Sequence, residues 1–250
     1  MNRRVLALVM VFVMILTLSP APAYGADDPD SGHISTIGSI DVTEQFNLTP
    51  GGTYYFDLSE QGFPGSVDEN LPDSSLKWVP FTYVGTINAY SRTSPGVSTE
   101  EDISVSERSL FVADHNVAFG VCWNDLNVAG LLFGKNYISG GVSYKFRSLS
   151  TGSDFYRTPE DEVRGLPVTN EWDQILNKNE SYIKNLSVYY TLGQDTYKEE
   201  TLRCTARGHQ LSARGYFAPG FDEIISLNDQ EFGWRPVLEI LNPGTLGADG

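Results

Sequence analysis

Short apolar or alternating runs, separated by turn-forming residues, recur along the chain from about residue 41 onward. Runs of this kind that are rich in β-branched and aromatic residues predict β-strands. The predicted strands cover residues 53–58, 77–87, 109–113, 117–122, 142–147, 187–192, 201–206 and 234–241. Pro80 lies inside the second run and indicates an edge strand or a β-bulge, because proline cannot donate a ladder hydrogen bond. Residues 91–107 are rich in Ser, Thr, Pro, Gly and acids, and predict a surface loop.

Two stretches have the composition of short helices. The first is predicted over 126–130, with its N-terminal cap at Asn124 or Asp125. The second follows a predicted cap at 169–170 and has about nine residues. Its apolar stripe at positions i, i+3 and i+4 consists of Trp172, Ile175 and Leu176. Many short strands with two short helices predict an α+β domain.

The first 26 residues have the pattern of an export signal. A basic start precedes an uncharged apolar run of 14 residues over 5–18. Small residues at alternate positions, Ala21 and Ala23 or Ala23 and Gly25, suit a signal peptidase. The run is shorter than the ~20 apolar residues that span a bilayer. We therefore predict a cleaved signal peptide at 1–26, a secreted or extracellular location, and no membrane insertion after cleavage.

The segments on either side of the predicted domain have linker composition. Residues 27–40 are polar and acidic, and predict a linker between the signal peptide and the domain. Residues 242–250 contain Pro, Gly and small polar residues, and no further strand or helix is predicted there. We expect this tail to lead to a further module of a longer surface protein, which would display the domain on the cell.

Composition and charge exclude several classes of partner. The chain has 250 residues, of which 40% are hydrophobic and 12% aromatic, so it can form a sizeable core. Its formal net charge is −15, which argues against nucleic acid, because phosphates require basic surfaces. The same charge argues against electrostatic binding to anionic lipid.

The chain has two cysteines, Cys122 and Cys204, which lie 82 positions apart. An exported chain permits a disulfide between them, which would close a long loop and stabilise the fold by about 4 kcal/mol. Both cysteines also lie in apolar, strand-like segments, so two buried free thiols are an equal alternative.

Four sequence signals in a fixed order carry a family resemblance. They are V-C-W-N-D-L at 121–126, L-P-V-T-N-E-W at 166–172, L-R-C-T-A-R-G at 202–208 and F-G-W-R-P-V-L-E at 232–239. The chain resembles the C-type-lectin-like fold in its formylglycine-generating, sulfatase-modifying variant. It is most similar to cell-surface modules of Gram-positive bacteria that end in G-F-R-P-V-L-E. The resemblance is strongest over 110–241, and continuity assigns 41–241 to one domain.

The resemblance implies small twisted antiparallel sheets with two short helices, and structural roles for the residues of the four signals. In that fold the tryptophan of the second signal packs a helix on a sheet, and the final Gly-aromatic-Arg closes the domain. The arginine of the last signal could anchor a carboxylate, and the Arg-Gly pair permits a strand end with positive φ. The structural residues are Trp123, Trp172, Arg207, Gly208, Gly233, Trp234 and Arg235.

The resembled enzymes depend on residues that this sequence lacks. They hold copper with a closely spaced cysteine pair near the C-terminal end, where this chain has Cys204 alone. Iron-dependent relatives need a histidine cluster, and the three histidines here (His33, His115 and His209) form none. We therefore predict no enzyme activity, no catalytic residue, no metal-ligand set and no cofactor. A structural calcium ion remains open, because the variant often carries one.

In C-type-lectin-like domains, loops between the last strands form the ligand face, which corresponds here to about 207–232. This segment mixes Tyr, Phe, Arg, Ser and Gly, as adaptable binding surfaces do. The predicted ligand-binding residues are Tyr190, His209, Ser212, Arg214, Tyr216, Phe221 and Asp222. We expect either Phe217 or Phe221 to fill the core instead.

These observations predict a non-catalytic secreted or cell-surface recognition module that binds a protein or glycan. A ligand-free spacer or adhesin-stalk domain is the alternative. A metal-dependent oxidase of the formylglycine-generating type is a third hypothesis.

Overall fold

The computed structural model describes residues 48–91, 104–157, 162–182, 189–200, 202–209, 215–224 and 231–241. All of them belong to one compact unit, Asp41–Gly250. The predicted signal peptide at 1–26 and the predicted linkers at 27–40 and 242–250 lie outside the described residues.

The described part of the chain is built mainly from short strands. They are β1 (Thr53–Phe56), β2 (Ser66–Val67), β3 (Val79–Ile87), β4 (Tyr90–Ser91), β5 (Ser104–Val105), β6 (Arg108–Ala113), β7 (Ala118–Phe119), β8 (Lys135–Ser139), β9 (Val142–Ser148), β10 (Asp154–Arg157), β11 (Glu162–Leu166), β12 (Tyr190–Thr196), β13 (Cys204–Arg207), β14 (Tyr216–Phe217), β15 (Phe232–Trp234) and β16 (Pro236–Ile240). The helices are α1 (Trp123–Val128) and α2 (Glu171–Ile175), with a 3₁₀ turn at Glu180–Tyr182.

Two six-stranded sheets form the framework. The first has the order β1-β3-β6-β16-β9-β8 and is antiparallel throughout. The second has the order β14-β13-β12-β15-β7-β2, in which β12 and β15 run parallel. Strand pairs β10–β11 and β4–β5 are separate. Sheets of this kind with two short helices confirm the predicted α+β class.

The hydrophobic core has two parts. The larger part combines side chains from both six-stranded sheets with α1, and includes Trp123 and Trp234. The smaller part lies on the other face of the first sheet, where Trp172 and Ile175 of α2 pack against Val112 and Val237. The first sheet is therefore covered on both faces, since α2 packs over its outer face.

Both helices differ in detail from the prediction. Helix α1 begins at Trp123, and its cap is Cys122 rather than Asn124 or Asp125, because the Cys122 Sγ accepts the Asp125 backbone N–H at 3.4 Å. Helix α2 has the predicted cap, Asn170, whose Oδ1 accepts the Asp173 N–H at 3.0 Å. It has five residues and is thus shorter than the predicted helix of about nine.

Several predicted strand boundaries also need correction. β3 pairs with β1 on one side and β6 on the other, so the prediction of an edge strand at Pro80 is wrong. A bulge does interrupt the β3–β6 ladder, between Tyr83 and Gly85. The region predicted as a loop at 91–107 includes the short pairing of β4 with β5, while residues 92–103 lie outside the described part. The predicted strand at 234–241 is divided between β15 and β16.

Candidate functional site

The ends of four strands meet at one end of the second sheet. Tyr190 pairs with Phe232, where the parallel strands β12 and β15 begin. Arg207, at the end of β13, pairs with Thr191 and with Tyr216 at the start of β14. We call the group formed by Tyr190, His209, Gly215 and Phe232 the strand-end site.

Tyr190 and His209 form a stacked pair in this site. Their ring centroids are 4.6 Å apart, and the rings are inclined by 14°. His209 is buried, and its φ is +121°, a backbone conformation that residues other than glycine rarely adopt. Such backbone strain persists only where the surrounding structure enforces it, and it is concentrated at functional sites. Burial lowers the pKa of His209, so the imidazole is neutral at pH 7.

Arg207 fixes the chain on both sides of the 210–214 connection. Its Nη1 and Nη2 donate to the two carboxylate oxygens of Asp173 at 3.0 and 2.9 Å, and its Nε donates to the Gly215 carbonyl at 3.2 Å. The Gly208 N–H also donates to the Gly215 carbonyl, at 3.0 Å. Gly208 has a φ of +77°, as expected for the Arg-Gly pair. Because Arg207 binds Asp173 of α2, the helix and the base of this connection are held together.

Tyr216, which we predicted as a ligand-binding residue, is half-buried. Its ring lies beside the Arg207 guanidinium, with the ring centroid 6.0 Å from Cζ, and its hydroxyl oxygen is buried. Burial raises the pKa of Tyr216 well above the usual value. The adjacent Phe217 and also Phe221 pack against the larger core, so both aromatic residues fill space where we expected one to do so.

Phe221 and Asp222 lie at the opposite end of β13 from His209. The Phe221 N–H donates to the Leu202 carbonyl. The Phe221 ring stacks on the Trp123 ring, with the ring centroids 4.4 Å apart. The Asn124 Nδ2 donates to the Asp222 Oδ1 at 2.7 Å. These contacts join the two residues to α1 rather than to Tyr190. Of the other predicted ligand residues, Ser212 and Arg214 lie outside the described part of the chain.

The predicted structural residues are all in buried positions. Trp172, Trp234, Arg207 and Arg235 are almost fully buried, and Trp123 is 3% exposed. The Arg235 Nη1 donates to the Ala113 carbonyl at 2.7 Å. Burial lowers the pKa of Arg235 to about 10, although the negative charges of Asp114 and Asp68 act to raise it. Gly233 lies in β15 between the two buried aromatic residues of that strand.

The two cysteines are buried free thiols in the structure. Burial raises the pKa of both thiols. The structure therefore contains the reduced pair, and the disulfide stays a prediction about the oxidised protein.

Sequence reasoning did not identify two carboxylates that organise this region. Asp173 binds Arg207, and Asp195 accepts the backbone N–H groups of Thr151 and Gly152 at 2.5 and 3.1 Å. Asp173 stands in the first turn of α2, where acidic residues are common, so its sequence position alone does not distinguish it. No group of three or more potential metal-ligating side chains occurs among the described residues. No helix in the described ranges is long and apolar enough to cross a membrane.

Comparison of the chain with protein-family models, with curated proteins and with solved structures finds no match.

Proposed function

We propose that this protein is a non-catalytic recognition module, secreted or displayed on the cell surface, that binds a protein or glycan at the strand-end site. The observation that carries the proposal is the stacking of Tyr190 on His209, with His209 in the left-handed backbone region. A strained backbone position beside a stacked aromatic pair, where the strands of a sheet end, is typical of a binding surface on a rigid framework.

The way the site is held supports the same proposal. Arg207 links α2, β13 and the Gly215 carbonyl, so the two ends of one connection keep a fixed separation. Binding loops that start from a rigid framework lose less conformational entropy on binding than loops that do not. The buried Arg207–Asp173 pair thus supplies preorganisation rather than ligand contact.

The proposal includes a C-type-lectin-like fold. Two short helices begin inside the first and second of the four sequence signals, at Trp123 and Glu171. The last signal supplies β16, which lies between β6 and β9 in the middle of the first sheet. These features support the fold, and an experimental structure that shows a different strand connectivity would reject it.

The binding proposal is tested with the full chain on arrays of glycans and of extracellular protein domains. We expect saturable binding that is at least about tenfold weaker in His209→Gly and in Tyr190→Leu. His209→Gly removes the imidazole and also the backbone strain, because glycine adopts a positive φ readily. Tyr190→Leu removes the stacked ring but keeps an apolar side chain against Phe217 and Phe232.

The control variant is Ile138→Ser, at an exposed position on β8 of the other sheet, which should bind like the parent protein. Melting temperatures of all variants show whether a loss of binding follows from a loss of folding. If no array component binds, the ligand-free spacer replaces this proposal. If both site variants keep full affinity, the ligand site lies elsewhere.

A further inference from the structure

The fold has largely removed the side chain of His209 from water. The residue is only 5% exposed, and its ring stacks on Tyr190 with the ring centroids 4.6 Å apart. The Tyr190 ring also contacts Phe217 and Phe232, at centroid distances of 5.6 and 6.1 Å. The imidazole of His209 therefore lies against an aromatic cluster that continues into the larger core.

The backbone at His209 is held in a strained conformation. Its φ is +121°, and among the described residues other than glycine only Leu76 also has a positive φ. The preceding residue, Gly208, is fixed by its N–H, which donates to the Gly215 carbonyl at 3.0 Å. Strain of this kind persists only where the surroundings enforce it. The contact of the imidazole with Tyr190 thus helps to hold the end of β13 in place.

Within the described part of the chain, the surroundings of His209 offer no counter-charge for a protonated imidazole. On β13, the charged neighbour is Arg207, and its guanidinium binds both carboxylate oxygens of Asp173. Tyr216 of β14 lies beside Arg207. The side chains of β12, β14 and β15 that form the aromatic cluster are those of Tyr190, Phe217 and Phe232. Of these three, only Tyr190 has a titratable group, and its hydroxyl is neutral below pH 8.

Protonation of His209 therefore acts against the stacked arrangement. A charged imidazole is unfavourable in an aromatic environment that supplies no counter-charge. Burial accordingly lowers the pKa of His209 from its ordinary value of 6.5. Because the stacked form binds a proton less readily than an exposed histidine does, it is most stable above pH 6.5 and loses stability as the pH falls below that value.

We propose that His209 is a pH sensor, which leaves Tyr190 when it is protonated and opens the strand-end site in mild acid. Histidine is the side chain that ordinarily changes its charge in this pH range. Departure of the imidazole also releases the strained backbone, so both changes favour opening. The opening is a property of the chain alone, whereas its consequence, release of a bound ligand in acid, rests on the proposed function.

Hydrogen–deuterium exchange of the full chain without ligand, at pH 7.5 and pH 5.5, tests the opening. Rates are corrected for the intrinsic pH dependence of amide exchange. We expect the Gly208 amide, which is bonded to the Gly215 carbonyl, to exchange at least about fivefold faster at pH 5.5. Amides of β3 in the first sheet are the internal control and should have the same corrected rate at both pH values.

Variants separate His209 from other groups that titrate. His209→Asn removes the titratable ring, and asparagine tolerates a positive φ better than most residues do. Its Gly208 amide should exchange at the same corrected rate at both pH values. His209→Gly is the second variant and should behave alike if His209→Asn does not fold. The control His115→Gln changes a half-buried histidine outside the site and should keep the pH dependence of the parent protein.

Equal corrected rates in the parent protein at the two pH values overturn the sensor. Acid-dependent exchange that persists in both His209 variants overturns it as well, because another group is then responsible. A ligand found on the arrays should bind the parent protein at least about fivefold more weakly at pH 5.5 than at pH 7.5. Opening in acid without any array ligand supports the sensor and rejects the proposed function, so the two failures are distinguishable.

Discussion

Arg147 and Glu171 form a two-pronged ion pair in the interior of the protein. The Arg147 Nη1 donates to Glu171 Oε2 at 2.8 Å, and Nη2 donates to Oε1 at 2.6 Å. Neither side chain is more than 1% exposed. Arg147 also donates from Nε to Glu239 at 2.9 Å, so the pair joins β9, β16 and the first residue of α2.

Removal of one partner of this pair should strongly destabilise the fold. We expect Glu171→Gln to lower the free energy of unfolding by about 3–5 kcal/mol, because the buried Arg147 charge loses the carboxylate that binds two of its nitrogens and keeps only Glu239. Urea unfolding measures the change. The matched control is Glu200→Gln, whose partner Arg203 is exposed, and it should cost at most about 1 kcal/mol. Equal effects of the two variants would show that the Arg147–Glu171 pair has no special role.

The same carboxylate predicts how stability depends on pH. Burial tends to raise the pKa of Glu171, but the charges of Arg147 and Arg108 and the hydrogen bonds of Arg147 outweigh this and lower it to about 2. Since the pKa of Glu171 in the folded state lies below its ordinary value of 4.5, the pair stabilises the fold above that pH. Its contribution, on the order of 3 kcal/mol, is lost as the pH falls from about 5 toward 2.

Unfolding of the parent protein and of Glu171→Gln between pH 6 and pH 3 isolates this contribution from that of other carboxylates. The stability difference between the two proteins should shrink steadily as the pH falls below 5. A constant difference over the whole range would mean that Glu171 does not titrate in the way its surroundings indicate.

Local sequence signals predicted the class of the fold and one of its caps. Asn170 was identifiable because an amide before an apolar stripe at helical spacing is a common start of a helix. Cys122 was not, because its side chain is a weak acceptor and rarely caps a helix. β8 was missed since it is an edge strand in which Tyr137 is the one buried residue, and the hydrophobic Ile138 beside it is exposed. The alternation of apolar and polar residues along β8 is thus too weak to recognise.

The candidate site depends on long-range pairing that no local pattern contains. Arg207 and Asp173 are 34 positions apart, and their contact follows from the position of α2 against β13. Alternation predicts that Tyr216 and Phe217 point to opposite faces, but it does not show how far each side chain is covered, and both are half-buried. For this reason the sequence assigned Tyr216 to the ligand surface, whereas its hydroxyl is buried.

The cysteine pair should be unreactive in the folded, reduced protein. Both thiols are buried, and burial raises the pKa of each, so little reactive thiolate forms at pH 8. We expect a thiol reagent to label neither Cys122 nor Cys204 in native protein and to label both after denaturation. Rapid labelling of the native protein would show that α1 or β13 opens readily.

Oxidation provides the second half of this test. Protein exported through an oxidising compartment and denatured without reductant should have no titratable thiol if Cys122 and Cys204 are bonded, and two if they are not. The free energy of unfolding of the bonded form should be higher by up to about 4 kcal/mol, because a long loop is closed in the unfolded chain. Its unfolding midpoint should be higher as well. Serine at both positions removes this difference between oxidised and reduced samples.

Gly165 should not tolerate a side chain, because it lies against the residues that hold the strand-end site. It has a φ of +69°, and a Cβ placed there would contact the Arg207 Nη1, with the Thr151 carbonyl at 2.7 Å and the Asp173 Oδ2 at 2.9 Å. Gly165→Ala should therefore displace Arg207 from Asp173 and lower the free energy of unfolding by about 3 kcal/mol or more.

Gly140 supplies the matched control for this substitution. Its φ is +57°, and nothing lies within 4 Å of an added Cβ, so Gly140→Ala has backbone strain without a steric clash. We expect it to cost only about 1–2 kcal/mol. Denaturant unfolding of the two variants thus separates the clash at Gly165 from the strain that both share. Similar costs would mean that Arg207 can move aside, and that its link between α2 and the strand-end site is dispensable for stability.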